Sequence, residues 1–312
     1  MCAELLATGA EASGAFAQAE LLRSIHTCRN VGLHRLAAAQ TRVLRSIRDL
    51  RGDRPEFSLG VLTADLRDAL AVAWRLAAGD SAPSLVGTAR RDYESIGSLH
   101  VRGLFTEAVV ARSGYAGAAT YLLDERGAIY TRSDIAPGDV GRAAGAYDAA
   151  AGLGDAVLPH RELSRAGLFL SDATASADGR LGAGQRVRAV RASEPARWDH
   201  PTLEARWRTP LEQQLAAVAA HDATPDELRP AGWNLLFVEG VIAGGADLAL
   251  VVGDRALRLA TIHHHRLLAA RDNLSVLARA SGLRVRAIGR VRLAAAGRLE
   301  LLAQPARVGD GL

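Results

Sequence analysis

Hydrophobic residues in the first eighty positions recur every three, four and seven residues, which is the spacing of one face of an α-helix. In the second of these runs the apolar positions are Leu33, Leu36, Val43, Ile47 and Leu50. Ser58 is placed to cap a third helix. The inward positions of that helix are Leu59, Leu62, Leu66, Leu70 and Ala73. The pattern predicts a helical domain over residues 1–84.

After residue 84 the hydrophobic period changes from helical to two, which is the period of a half-buried β-strand. Strands are predicted over Leu99–Phe105, Ala118–Leu123 and Ala128–Thr131. A helical pattern returns over residues 202–229, where Thr209 and Glu212 have the spacing of a capping box. Strand patterns resume at Asn234 and continue towards the end of the sequence.

The two strand-rich halves share an ordered set of motifs, which indicates an internal duplication. Leu104–Val110 (LFTEAVV) resembles Leu236–Ile242 (LFVEGVI), and the tripeptide Gly-Arg-Leu ends both halves, at 179–181 and at 297–299. Three strands, a helix and two further strands follow the order of a five-stranded OB-type barrel. The alternative is a chance similarity between short apolar motifs.

The fold class predicted from these patterns is an α+β multidomain protein. A helical N-terminal domain precedes two OB-like five-stranded β-barrels that are related by internal duplication. The predicted domains cover residues 1–84 (helical), 85–197 (first barrel), 198–232 (helical connector) and 233–312 (second barrel).

Composition limits the functions that the chain can have. Hydrophobic residues make up 49% and charged residues 23%, which is enough for packed cores. All 38 basic residues are arginine, a usage typical of a high-GC bacterial genome, and with 34 acids the net charge is +4. The sequence has no long apolar run and no secretory signal, so we expect a cytoplasmic protein. Cys2 and Cys28 are too few for a disulfide framework or a four-cysteine zinc site.

Short motifs along residues 30–195 recur in a known family. They are Arg91-Asp92-Tyr93, Ile96–Leu99, Ser113–Gly117, Tyr130–Asp134, Asp172–Ser176 and Gly179–Leu181. Together they resemble the region that follows the zinc finger in bacterial SWIM zinc-finger family proteins. The CxCxnCxH finger that defines the family is absent, so zinc binding and the nucleic-acid role of the finger do not carry over. The resemblance therefore implies that residues 30–195 form an accessory region that lacks the zinc finger.

Arginines alternate with apolar residues in the last predicted strands. Arg284, Arg286, Arg290 and Arg292 share one parity, whereas Val285, Ala287, Val291 and Leu293 occupy the other. A smaller cluster in the first barrel contains Arg186 and Arg188. Uniformly positive strand faces are suited to phosphates or to an acidic protein. We therefore predict that these six arginines bind nucleic acid, mainly through its backbone. The alternative is a solvated outer face in a chain without lysine.

Residues that could support catalysis or metal binding are few. His263, His264 and His265 alternate faces if they lie in a strand, and the sequence places no carboxylate or cysteine at a supporting interval, so surface histidines are the favoured interpretation. Ser164 lies near His160 and Glu162 but outside any nucleophile motif. Cys28 is expected in the helical core. The sequence therefore predicts no catalytic residues, no metal site and no cofactor.

Three functional hypotheses follow. The first is a non-catalytic adaptor that binds nucleic acid or an acidic protein through arginine-rich strand faces. The second is a protein–protein scaffold that docks through its N-terminal helices to a partner carrying a SWIM zinc finger or an ATPase. The third is a hydrolase built around the glycine-rich loop Ser113–Gly117, whose structural alternative is a tight turn between two strands.

Overall fold

A computed structural model describes residues 7, 9–54, 57–87, 92–111, 114–221, 224, 229–245, 248–293 and 299–303. The chain divides into two compact units, Met1–Arg91 and Asp92–Leu312. Some residues used in the sequence analysis lie outside the described part, namely Cys2, Arg91, Ser113, Gly297 and Arg298. No helix of the described part is both long and apolar enough to span a membrane.

The first unit is helical, as its hydrophobic period predicts. Its helices are α1 (Ala15–Asn30), α2 (His34–Arg51), α3 (Leu59–Ala77) and α4 (Pro83–Val86). Cys28 is buried in their common core, as expected. Ser58 accepts a hydrogen bond from the Val61 N–H (3.4 Å), which confirms the predicted N-cap of α3. Leu59, expected to face inward, is 68% exposed because it is the first residue of the helix and lies beyond the packed turns.

The second unit begins with a five-stranded antiparallel sheet. Its strands are β1 (Glu94–Ala111), β2 (Tyr115–Asp124), β3 (Ile129–Pro137), β4 (Ala166–Ala175) and β5 (Arg188–Pro195), and their order is β3-β2-β1-β4-β5. Two short helices, α5 (Val140–Ala146) and α6 (His160–Leu163), lie between β3 and β4 in the chain. Gly114, with φ 75°, forms the turn from β1 to β2.

Two helices, α7 (Pro201–Arg208) and α8 (Leu211–Ala220), connect this sheet to a closed barrel. The barrel strands are β6 (Leu235–Ala243), β7 (Ala249–Val252), β8 (Arg255–Ala260), β9 (Arg284–Leu293) and β10 (Leu299–Ala303). Their order is β10-β8-β7-β6-β9, and the parallel pair of β8 with β10 and the antiparallel pair of β9 with β10 complete the closure. Helix α9 (Ala269–Leu277) lies between β8 and β9 in the chain.

The structure therefore has the predicted mixture of helix and sheet, with one closed barrel where the sequence predicted two. In the first sheet the β-bridge that joins β3 to the chain after β4, within the described residues, is the parallel bridge between Thr131 and Arg180. The chain then leaves this position before β5 begins at Arg188, and β5 pairs along β4 instead. Ladder pairing of β3 with β5 is consequently replaced by this single bridge in the described residues.

The matching LFxE motifs lie on the first strand of each sheet but at different heights. Strand β1 changes its partner from β4 to β2 near Val101, and Leu104 lies three residues after that point. Strand β6 changes from β9 to β7 at Val241, and Leu236 lies five residues before it. The motifs are therefore not equivalent in their strand pairing, since the first pairs with β2 and the second with β9, and a short apolar motif does not specify which neighbouring strand it pairs with.

The predicted capping box at Thr209 is wrong in its detail. The Thr209 hydroxyl donates to the Ala205 carbonyl (2.9 Å) in the last turn of α7, and the N-cap residue of α8 makes no side-chain cap hydrogen bond. Pro210 is the N-cap residue, and α8 begins at Leu211.

Aromatic residues join the first sheet to the barrel within the second unit. Phe105 stacks on Tyr121 at 4.6 Å between ring centroids, and Trp207 meets Phe237 edge-on at 5.5 Å. Both pairs belong to one buried cluster that also contains Ile288. Since this cluster includes residues from both sheets, the two share one hydrophobic core at this junction.

A buried polar network lies on the other face of β1. Thr106 and Thr120 share a hydrogen bond of 2.7 Å, and Thr120 is also 2.7 Å from His160 Nδ1. The His160 side chain is fully buried, and burial lowers its pKa from 6.5 to about 4. The imidazole is therefore neutral in the folded protein at neutral pH.

Acidification is expected to destabilise the fold through His160. Between pH 6.5 and 4 the unfolded chain takes up a proton on this imidazole that the folded chain does not, so stability falls as pH falls, by about 3 kcal/mol at most. Urea unfolding at pH 7.5 and pH 4.5 measures the loss, and the variant His160→Gln should lose less stability over the same interval. Equal losses in both proteins would contradict the assignment.

Candidate nucleic-acid interface

The four arginines of β9 share one face, as the alternation predicted, but that face is not open to solvent along its length. Ile288, which has the same parity, is 1% exposed and belongs to the aromatic cluster between the sheets. Val285 and Ala287 on the opposite face lie in the barrel core. Strand β9 is therefore buried on both faces at its centre.

Glutamates pair with the first two of these arginines. Arg284 Nε lies 2.8 Å from Glu239 Oε1, on the adjacent strand β6. Arg286 contacts both Glu239 (3.2 Å) and Glu204 of α7 (2.8 Å), and its guanidinium lies over the Trp207 ring at 5.3 Å. These arginines hold the pKa of Glu239 below its usual range, although burial opposes the shift.

The other two arginines also face carboxylates. Arg290 Nε is 3.2 Å from Oε2 of Glu107, a buried side chain of β1 whose other carboxylate oxygen accepts a hydrogen bond from Tyr121. Arg292 bonds Glu300 on β10 at 2.5 Å, and hydrogen bonding from Arg292 lowers the pKa of Glu300. Each arginine of β9 therefore has an acidic partner in a neighbouring element.

These pairs change the interpretation of the β9 arginines. The sequence around them shows no interleaved acid, because their partners come from β1, α7, β6 and β10. Charges that are already paired attract phosphate weakly, since an incoming phosphate must displace a carboxylate. Phosphate binding by Arg284, Arg286, Arg290 and Arg292 stays a prediction, and the geometry favours the other predicted pair, Arg186 and Arg188.

That second pair lies beside an exposed aromatic side chain. Phe169 of β4 is 51% exposed and stacks on His100 of β1, with 4.0 Å between ring centroids and 16° between the planes. Val190 of β5 is the direct cross-strand neighbour of Phe169 and is 65% exposed. We call this surface of the first sheet, formed by His100, Phe169, Val190 and Arg188, the Phe169 face.

Strand register places Arg188 on the same side of the sheet as Phe169. Arg188 pairs with Ser171, two residues along from Phe169, and the buried Val187 separates it from Arg186. Successive residues on one face of a strand are about 6.6 Å apart, which is the spacing along β4 between Phe169 and Ser171. Arg186 lies in the turn that precedes β5. The side chains of Arg186 and Arg188 are both exposed, and within the described residues neither has a carboxylate within 4.0 Å.

The acids nearest to the Phe169 face are already engaged. His100 Nδ1 lies 2.7 Å from Glu125, and this hydrogen bond lowers the pKa of the Glu125 carboxyl. Asp155 accepts a hydrogen bond from the Ala189 N–H (2.6 Å), which lowers its pKa, with a smaller contribution from Arg188. The face therefore combines an apolar platform with the exposed Arg188, and the exposed Arg186 lies in the adjoining turn.

The remaining candidates from the sequence are dispersed. His263 is partly buried, not a surface residue, because its Nε2 accepts a hydrogen bond from the Val110 N–H (3.2 Å), and burial lowers its pKa. His264 and His265 are exposed. In the residues that the structure describes, no three histidine, cysteine or acidic side chains are grouped to hold a metal.

The serines considered for catalysis have other partners. The Ser164 hydroxyl donates to the Arg161 carbonyl (2.9 Å), whereas His160 Nδ1 faces Thr120. Ser113 lies outside the described residues, and the neighbouring Gly114 forms a tight turn between strands. No nucleophile–base pair is assembled from these residues.

Comparison with known proteins adds no assignment. No protein-family model matches the chain, and no curated protein is significantly similar to it. The function proposed below is therefore inferred from the geometry of the described residues.

From the sequence, Phe169 is one of the few aromatic side chains available to stack on a base, with Tyr115, Tyr121, Tyr130 and Trp233, but the sequence did not show which of them is exposed. The strand pattern around Phe169, Gly167-Leu168-Phe169-Leu170-Ser171, reads as a continuous apolar run without a clear outer face. In the sequence before Val190, Arg186 and Arg188 alternate with Val187 and Ala189. This alternation was the signal that could have identified the exposed side of the sheet.

Proposed function

We propose that the protein is a non-catalytic adaptor that binds single-stranded nucleic acid through the Phe169 face. The observation that carries the proposal is the exposed Phe169 ring, which stacks on His100, with the exposed Arg188 on the same face and the exposed Arg186 in the turn before β5. Aromatic platforms next to cationic grooves bind single strands because every base has a face that can stack and every nucleotide carries a phosphate.

A single strand suits this face better than a duplex does. Stacking on Phe169 requires an unpaired base, because paired bases in a duplex present only their edges. Contacts from two arginines to phosphates add affinity without sequence preference. We expect one or two stacked bases and two phosphate contacts, with little discrimination between DNA and RNA sequences.

Fluorescence anisotropy with a labelled single-stranded oligonucleotide tests this proposal. Binding should weaken as salt rises, with a slope of log K against log[salt] of about −1.4 for two phosphate contacts. The same oligonucleotide annealed to its complement should bind more weakly. Equal binding of single strand and duplex, or binding that is independent of salt, would contradict the proposal.

We also propose that the two sheets are OB-like and related by duplication. Both sheets have the order third-second-first-fourth-fifth strand, and in both a helical segment lies between the third and fourth strands. The bridge between Thr131 and Arg180 is parallel, as is the pair of β8 with β10. These shared features support OB-like sheets related by duplication, with the first sheet less completely closed.

An exposed tryptophan favours a second candidate function, docking of the helical unit to a partner protein. Trp74 of α3 is 73% exposed, and large exposed aromatic side chains are enriched where proteins bind one another. The resemblance to SWIM-family proteins supports a partner that carries a SWIM zinc finger or an ATPase. Such docking would depend little on salt, which separates it from phosphate binding.

A further inference from the structure

A cavity of about 690 Å³ lies in the second unit, away from the Phe169 face. Its walls come from the start of β3, from α7 and α8, and from the turn that precedes β6. The wall is largely apolar, with Ile129, Tyr130, Val218, Trp233 and Phe237 among its residues. A concave, mostly apolar site of this size is typical of those that bind small molecules.

Helix α8 is more exposed than its apolar composition predicts. Seven of its ten residues are alanine, valine or leucine, yet none of the ten is buried. Ala217 and Val218 line the cavity, and Val218 also contacts the barrel core together with Leu211 and Leu215. An occupant of the cavity would remove the apolar surface of this helix from water, which is favourable.

A guanidinium gives the cavity its chemical preference. Arg206 of α7 lines the wall, with Nη2 donating to the Gly127 carbonyl and the group lying 5.0 Å from the centre of the Phe237 ring. Arg206 forms no ion pair within 4.0 Å in the part of the chain that the structure describes, although the charge of Asp124 acts on it at longer range, and Glu94 is the single acid among the described lining residues. A half-buried cation is stabilised by an anionic ligand.

We propose that this cavity binds a small organic anion with an apolar body. The anionic group, a carboxylate, sulfonate or phosphate, pairs with Arg206. The apolar body lies against Trp233, Tyr130 and Val218. The site differs from the proposed nucleic-acid interface in its residues and in its ligand, so each can fail while the other stands.

Two dyes of similar shape and different charge test the proposal. 8-Anilinonaphthalene-1-sulfonate carries one negative charge, and N-phenyl-1-naphthylamine lacks it. Titration calorimetry and dye fluorescence on the full-length protein at neutral pH should give one bound sulfonate dye per chain and about tenfold weaker binding of the neutral dye. In Arg206→Gln the sulfonate dye should lose about tenfold in affinity, whereas the neutral dye should bind as before.

A matched pair of substitutions on α8 locates the binding site. Ala217→Trp places a large side chain in the cavity and should abolish binding of both dyes, whereas the adjacent Ala216→Trp, which is exposed outside the lining, should leave it unchanged. Circular dichroism verifies that both variants fold. The proposal would be overturned by any of three results: no dye binding by the wild type, a dye affinity in Ala217→Trp equal to that of the wild type, or unchanged dye selectivity in Arg206→Gln. If Arg206→Gln fails to fold, the two α8 variants still locate the binding site.

Discussion

Replacing Arg290 with alanine is expected to lower the free energy of unfolding by about 3 kcal/mol at pH 7.5. The substitution leaves the Glu107 carboxylate buried in the junction between the two sheets, with Tyr121 as its remaining partner. Removing one member of a buried ion pair is costly because the other charge stays desolvated. Urea unfolding of wild type and variant measures the difference.

The pH dependence of this variant identifies the cause. Burial already raises the pKa of Glu107, against the opposing effects of Arg290 and Tyr121. Without Arg290 the pKa rises further, so the unfolded chain loses a proton from this carboxyl at a lower pH than the folded chain does. The stability deficit should therefore be smallest in acid, where the carboxyl is protonated in both states, and grow as pH rises above about 4.5, the usual pKa of a glutamate.

Two further variants are controls for the Arg290→Ala result. Arg284→Ala removes an exposed arginine whose pair with Glu239 is at the surface, and it should cost less than about 1 kcal/mol. The double variant Glu107→Gln/Arg290→Met removes both charges and should recover much of the lost stability. A deficit in Arg290→Ala that is independent of pH, and that the double variant does not reduce, would contradict the buried-pair account.

The sequence predicts local features of this protein well and pairings between distant segments poorly. The Ser58 cap and the burial of Cys28 depend on neighbours within a few residues or on helical period, and both are confirmed. The alternation in β9 is also correct, yet it gave no sign of Glu107 or Glu204, which reach the arginines only after the sheets pack together. Barrel closure and motif register depend on such long-range pairing in the same way.

Replacing Arg186 and Arg188 with alanine is expected to reduce affinity for a single-stranded oligonucleotide by about tenfold at low salt. Each exposed arginine neutralises one phosphate and releases its counterions, so the slope of log K against log[salt] should move towards zero by about 1.4. Fluorescence anisotropy over a range of salt concentrations measures both quantities on the same samples.

The double variant Arg255→Ala/Arg284→Ala is the charge-matched control. It removes two exposed arginines of the barrel that are paired with Glu212 and Glu239. Its net charge equals that of the Arg186→Ala/Arg188→Ala variant, so a loss of affinity common to both would reflect overall charge alone. We expect the control to bind within about twofold of wild type, and an equal loss in the two double variants would contradict a specific role for Arg186 and Arg188.

Photochemical cross-linking shows which side chain touches a base, so it tests directly whether single-stranded nucleic acid binds through the Phe169 face. An oligonucleotide containing 5-iodouracil is bound to the wild-type protein at low salt, irradiated, digested and analysed by mass spectrometry. We predict cross-links at Phe169 or at its stacking partner His100. In Phe169→Ala these cross-links should be lost, and affinity for the oligonucleotide should fall by about tenfold or more. Cross-links confined to the barrel or to the helical unit, or unchanged cross-linking and affinity in Phe169→Ala, would contradict binding through the Phe169 face.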